Sequence, residues 1–123
     1  MPSQFEAVAG SALGYSDDDT GSVTQATNKG TGVTLNKPSG VITMNDAALG
    51  AAAEATFEVT NDKIAATDVI VAVHGSAGTA GSYMVGVSAI AAGSFKITVT
   101  NVSGGSLSEA IVINFVALKG ASS

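Results

Sequence analysis

The chain has 123 residues, no cysteine and no tryptophan, and only 12% of its residues are charged, for a net charge of -5. That length suits one domain, and the missing cysteines exclude a disulfide framework or a thiolate metal site. The acidic balance argues against nucleic acid and anionic membranes as partners, because both are held by Lys and Arg.

Soluble domains usually carry about 25% charged residues. Here the surface must be made of Ser, Thr, Gly, Ala and Asn instead. The plain reading is a soluble domain with an uncharged polar skin. The sharper reading, preferred here, is that much of the skin is interface, because interface centres are depleted in Lys, Glu and Asp. The start, MPSQFEAVAGSALGYSDDD, has no basic region followed by an apolar run, so no targeting segment is expected. No apolar stretch approaches the ~20 residues of a membrane helix. The absence of cysteine fits folding in a reducing cytoplasm.

Residues 1–20 read as an extended N-terminal arm. Phe5, Val8, Leu13 and Tyr15 are apolar without a strand period, and Asp17, Asp18 and Asp19 close the segment in a charged turn. From residue 21 the apolar period is two. SVTQA (22–26), VTLN (33–36) and VITMN (41–45) are short Thr- and Val-rich strands, with NKPSG (36–40) as a turn. DAALGAAA (46–53) has the composition of a helical turn, weakened by Gly50.

EATFEVTN (54–61) alternates cleanly: Ala55, Phe57 and Val59 face one way, Glu54, Thr56, Glu58 and Thr60 the other. A pleated strand sends successive side chains to opposite faces, so this strand has one dry and one wet side. VIVAVH (69–74) is apolar on both sides, which predicts a strand that is central or covered twice. GSAGTAGS (75–82) is a flexible loop. YMVGVSAI (83–90) and SFKITVTN (94–101) alternate again, VSGGSLSE (102–109) is a loop, and AIVINFVALK (110–119) is a strand apolar on both sides except at Asn114. Residues 120–123 form a polar tail.

About eight short strands at ~8–12-residue spacing predict an all-β fold. The expected architecture is an antiparallel, jelly-roll-like β-sandwich over residues 21–119. A seven-stranded immunoglobulin-like sandwich stays open, and the strand order is not fixed by the sequence.

No catalytic or cofactor-binding set is expected. His74 is the only histidine and lacks the elbow that would set a serine beside it. The Asp17–Asp19 run lacks the ligand spacing of a calcium loop, so no metal site is expected there, and Asp46, Asp62 and Asp68 read as turn caps. GSAGTAGS lacks the lysine and helix of a phosphate loop. Glu54, Glu58 and Glu109 do not converge in sequence as a glycosidase pair would. Aromatics make up 5% of the chain, too few for a sugar- or base-stacking platform.

Three phrases carry a family resemblance: VTQATNKGTGVTLNKPSGVITMNDAAL (23–49), IAATD (64–68) and SLSEAIVINF (106–115). Over roughly residues 21–119 the chain resembles small structural proteins of tailed phages, the capsid decoration or head cement proteins and related head-fibre domains. The resemblance implies a β-sandwich module without catalytic residues. It implies a homotrimer bound to the major capsid protein on the outer capsid surface of the virion, made in the bacterial host cytoplasm. The arm residues Phe5, Val8, Leu13, Tyr15, Asp17, Asp18 and Asp19 are then the expected contacts to shell or neighbouring subunit. The alternative is a fibre or spike domain that binds a host receptor. The chain begins at Met1 and contains no coiled-coil or collagen-like stalk, which weighs toward the shell as an expectation.

Overall fold

The structure is a computed structural model that describes residues 17–119. A single 3-10 turn, Asp17–Asp19, leads into eight strands: β1 (Thr20–Thr24), β2 (Val33–Thr34), β3 (Ser39–Thr43), β4 (Glu54–Thr60), β5 (Val69–Ser76), β6 (Tyr83–Ala91), β7 (Ser94–Asn101) and β8 (Val112–Leu118). They form two four-stranded sheets. The front sheet has the order β1-β3-β8-β5 and the back sheet the order β2-β4-β7-β6. The all-β sandwich expected from the sequence is therefore what forms.

Both sheets are mixed. β1 runs parallel to β3, and β2 parallel to β4, while every other pair is antiparallel. The parallel pairs depart from the purely antiparallel expectation. Each joins a strand to one that follows it after an intervening segment, a connection too long for a tight hairpin.

The alternation read from the sequence sets the core. Phe57 and Val59 of β4, Phe95, Ile97 and Val99 of β7, and Ile113, Phe115 and Ala117 of β8 are all buried between the sheets. Phe95 and Phe115 meet across the sandwich with ring centroids 5.5 Å apart and planes tilted by 57°. At Gly40 a Cβ would lie 2.6 Å from Leu35 and 2.8 Å from the Gly21 carbonyl, so only glycine lets β3 sit this close to its neighbours.

Two expectations change. DAALGAAA forms no helical turn: the Leu49 N–H and C=O exchange hydrogen bonds with Leu107 at 2.8 and 3.0 Å, so strand-like pairing takes the backbone groups that a helix would use. β5 is not central but the last strand of the front sheet. Ile70 and Ala72 face the core, whereas Val69, Val71 and Val73 remain 57%, 45% and 50% exposed. β1 starts at Thr20, so the folded body begins just inside the segment read as the arm.

Loops at the sandwich ends are held by buried polar side chains. Asn101 is fully buried; its amide donates to the carbonyls of Leu49 (2.8 Å) and Gly105 (2.9 Å), and its Oδ1 accepts from the Ser103 N–H and hydroxyl. Asn61, also fully buried, donates to the Lys37 carbonyl and accepts from the Lys63 N–H.

Asn101→Ala removes at once the bonds that tie the Leu49 and Gly105 carbonyls and the Ser103 N–H and hydroxyl to one fully buried side chain. Urea unfolding should show a loss of about 2–4 kcal/mol. Val102→Ser, next door and exposed, should stay within about 0.5 kcal/mol of the parent.

Candidate interaction surface

His74 lies near the end of β5, beside the Gly-rich 75–82 loop. The β5 register slips between His74 and Ser76, which turns the imidazole toward the following loop. His74 Nε2 lies 2.6 Å from the Ala77 carbonyl and 3.1 Å from the Ser76 carbonyl, so this nitrogen carries the proton and donates. The ring stands edge-on to Tyr83, with centroids 5.3 Å apart and an interplanar angle of 87°. Glu109, from the loop before β8, completes the group. Its Oε1 accepts from the Thr79 N–H at 2.9 Å and the Tyr83 hydroxyl at 2.8 Å, and its Oε2 accepts from the Thr79 hydroxyl at 2.8 Å. Gly78, at φ +75°, passes directly over this carboxylate: a Cβ there would be 2.7 Å from Ile111 and 2.9 Å from Glu109 Oε1.

The electrostatics of the group are those of a clamp. The hydrogen bond from Tyr83, then those from Thr79, hold the Glu109 carboxyl below its ordinary value. Burial, then the bond to Glu109, pushes the Tyr83 phenol up to about 12. A general acid or base works best with a pKa near the operating pH, and these two groups move away from it in opposite directions. The arrangement ties the Gly-rich 75–82 loop to the 102–111 loop. The hollow beside it, lined by His74, Gly75, Ser76, Ala77, Gly78, Ala80 and Gly81, is shallow.

The sequence reading missed this convergence. Tyr83 stands at an alternating position of YMVGVSAI, and a buried phenol needs a partner, but nothing in the spacing names Glu109, 26 residues on, as that partner.

Three polar residues of the resemblance phrases, Gln25, Lys29 and Asp68, turn inward. Gln25 donates to the carbonyls of Lys29 (2.9 Å) and Thr31 (3.0 Å) and accepts from the Asn45 N–H (2.9 Å). Lys29 is buried; its ammonium donates to the Asn45 carbonyl and, at 2.7 Å, to the Glu109 carbonyl. Burial lowers its pKa, with Asp46 and Glu109 opposing. Asp68 caps its own turn through the Ala65 N–H (2.9 Å) and pairs with Lys119 at 2.7 Å.

Of the arm residues named from the sequence, Phe5, Val8, Leu13 and Tyr15 lie outside the described residues. Asp17–Asp19 form the charged turn expected of them, and the turn is fixed by its main chain. The Asp18 carbonyl accepts from Lys37 Nζ at 2.8 Å, and the Asp19 carbonyl from the Ser39 hydroxyl at 3.2 Å. Among the described residues no three His, Asp or Glu groups are placed to hold a metal ion.

The two outer faces of the sandwich differ sharply. On the back sheet, Glu58 lies beside Lys96, Thr56 beside Thr98 (hydroxyls 2.7 Å apart), and Glu54 beside Thr100. That face is charged and hydroxylated, as a solvated surface should be. On the front sheet, cross-strand rows read Thr20–Ser39–Val116–Val71 and Ser22–Val41–Asn114–Val73, and Val69 stands beside Leu118. Among the described residues no charged side chain occurs on this face. Its β1–β3 half is largely hydroxyl and its β8–β5 half largely valine. VIVAVH gave the signal as an apolar strand, but period two cannot say whether the cover comes from the same chain.

No protein-family model, curated protein or solved structure matches the chain. The family likeness therefore rests on the sequence phrases alone.

The phenol gives a pH test of the clamp. Tyr83 ionises at 10.0 when unfolded and at about 12 in the fold. Its contribution to stability is therefore complete below pH 10 and lost as pH rises toward 12. Denaturant midpoints from pH 9 to 12 should fall more steeply for the parent than for Tyr83→Phe. Parallel curves would remove the clamp.

Proposed function

We propose that this chain is a non-enzymatic structural protein of a tailed-phage virion, a capsid decoration or cement protein that binds the outer capsid surface as a trimer and stabilises the shell. The observation that carries the reading is the charge-free outer face of the front sheet, in a chain whose other outer face is charged. Such a face suits contact with protein better than permanent exposure to water. The resemblance phrases supply the virion context, and their polar residues serve loop geometry. The titratable groups nearest to a catalytic constellation are engaged with one another and poised away from neutrality.

The arm gives the second half of the mechanism. Sixteen residues precede the Asp17–Asp19 turn, enough to reach about 50 Å when extended. With Phe5, Val8, Leu13 and Tyr15 as apolar anchors, three arms on one trimer engage the shell together. After the first arm binds, the others bind as intramolecular events, and avidity rises by about 10²–10⁴ without tighter individual contacts. Asp17–Asp19 sit at the root, where they can meet basic capsid residues. A virion protein of this kind is made in the bacterial cytoplasm, has the major capsid protein as its partner and needs no cofactor.

Light scattering on the eluting protein should give a mass of about 36 kDa, three times the 12.0 kDa chain. The protein should cosediment with undecorated capsids of its own virus. Deleting residues 1–16 should abolish cosedimentation and leave the β-sheet circular dichroism unchanged, since β1 starts at Thr20. Full binding by the truncated chain would remove the arm from the mechanism.

A further inference from the structure

We propose that Glu109 is a latch that makes the loops at one end of the sandwich open and close as a single unit, so that an event at the Gly-rich 75–82 loop is felt in residues 25–31 and 44–47. The coupling is a property of the fold and stands apart from the virion reading.

These segments share one end of the molecule. β1, β3 and β5 finish there at Thr24, Thr43 and Ser76, and β6 and β8 start there at Tyr83 and Val112. The 75–82 loop does not hold its shape by local preference. Ala77 and Gly78 are consecutive residues in the left-handed region, at φ +61° and +75°, a conformation that strains alanine. Side chains at its ends and Glu109 hold it instead. His74 donates to the Ser76 and Ala77 carbonyls, and the Glu109 carboxylate takes the Thr79 N–H, the Thr79 hydroxyl and the Tyr83 hydroxyl.

The two halves of Glu109 serve different neighbours. While its side chain holds the 75–82 loop, its carbonyl accepts from the Lys29 ammonium at 2.7 Å. Lys29 is only 4% exposed, and among the described residues its other acceptor is the Asn45 carbonyl. A buried ammonium left with one acceptor is costly, so Lys29 keeps its place only while the Glu109 main chain keeps its own. Asn45 is bound in turn: its N–H donates to Gln25 Oε1 at 2.9 Å, and the Gln25 amide donates to the carbonyls of Lys29 and Thr31. The Asn45 side chain bridges the Ala26 carbonyl and the Ala47 N–H.

A second tie runs beside the first. The Met44 N–H donates to the Ile111 carbonyl at 2.8 Å, and Ile111 is the residue over which Gly78 passes. The path from Thr79 to Thr31 is therefore a contiguous chain of hydrogen bonds through a dry lysine. Chains of this kind carry coupling between separated sites, and here the chain joins the loops into one local unfolding unit. A partner that grips the 75–82 loop in its closed form then also steadies residues 25–31, and the effect is reciprocal.

The test is native-state hydrogen exchange of the full-length protein at neutral pH, where the rate follows the population of the open form. Tyr83→Phe removes one hydroxyl from the latch. It should speed exchange of the Thr79 N–H, which shares the same carboxylate, by about tenfold or more. It should also speed the Asn45 N–H, whose bond is to Gln25 and not to Tyr83, by about threefold or more. Reciprocally, Lys29→Met should speed the Thr79 N–H by about threefold or more. The double variant should fall short of the product of the single effects, because both act on one unit. The Asn61 N–H, bonded to the Gly93 carbonyl at the opposite end of the sandwich, should not change.

An Asn45 N–H untouched by Tyr83→Phe, or a Thr79 N–H untouched by Lys29→Met, overturns the coupling and leaves Glu109 a local clamp. Equal acceleration at Asn61 overturns it too, because the whole chain then opens together. If Lys29→Met fails to fold, Glu109→Gln is read instead. It should speed the Thr79 and Asn45 amides together, and a change at Thr79 alone overturns the proposal.

Discussion

The fold depends on one contact between layers, the meeting of Phe95 from β7 with Phe115 from β8. These are inner strands of their sheets, each paired on both sides. Once the two rings are buried face to tilted face, the period of two fixes every other inward position on β7 and β8. Ile97, Val99, Ile113 and Ala117 follow them into the core. The outward positions are then free of structural duty. On the back sheet they hold Glu54, Glu58 and Lys96; on the front sheet they hold Val, Ser and Thr. A shared core thus carries two unlike surfaces, and the proposed function rests on the difference between them.

The loops follow a second rule. With few charges in the chain, polar groups inside are expensive unless every one is partnered. No buried side-chain nitrogen or oxygen among the described residues lacks a hydrogen-bond partner. Gln25, Lys29, Asn61 and Asn101 each hold more than one backbone group, and Asp68 holds the Ala65 N–H together with the Lys119 ammonium. Glu109 does double service: its carboxylate holds the Gly-rich loop while its carbonyl accepts from Lys29. Phrases that look like functional motifs in the sequence are therefore the residues that give irregular loops a fixed shape. A surface that works by fitting needs that rigidity at its edges, because ordering loops at the moment of binding costs affinity.

Much of this was legible in the residues. Alternation placed Phe57, Val59, Phe95, Ile97 and Val99 in the core, and SFKITVTN has the bounds of β7 itself. The strand count and two-layer architecture came from turn spacing. Three things did not. Parallel pairing of β1 with β3 and of β2 with β4 depends on long-range register, which local pattern does not encode. The Tyr83–Glu109 bond joins positions whose nearness exists only after the sheets pack. The exposed valines of β5 were read as part of a strand central or covered on both sides, because a hydrophobic face looks the same whether its cover lies in the same chain, in another, or nowhere.

The force proposed to join this molecule to others is burial of uncharged sheet surface, with ion pairs confined to the rim. Salt separates this from an electrostatic alternative, because exposed charges are screened within about 3 Å at 1 M ionic strength, against about 10 Å at 0.1 M. The direct measurement is sedimentation equilibrium of the full-length protein from about 0.1 M to 1 M sodium chloride. The account predicts an association constant that holds steady or rises with salt. A fall of tenfold or more would mean that charge, and not the neutral face, holds the assembly together.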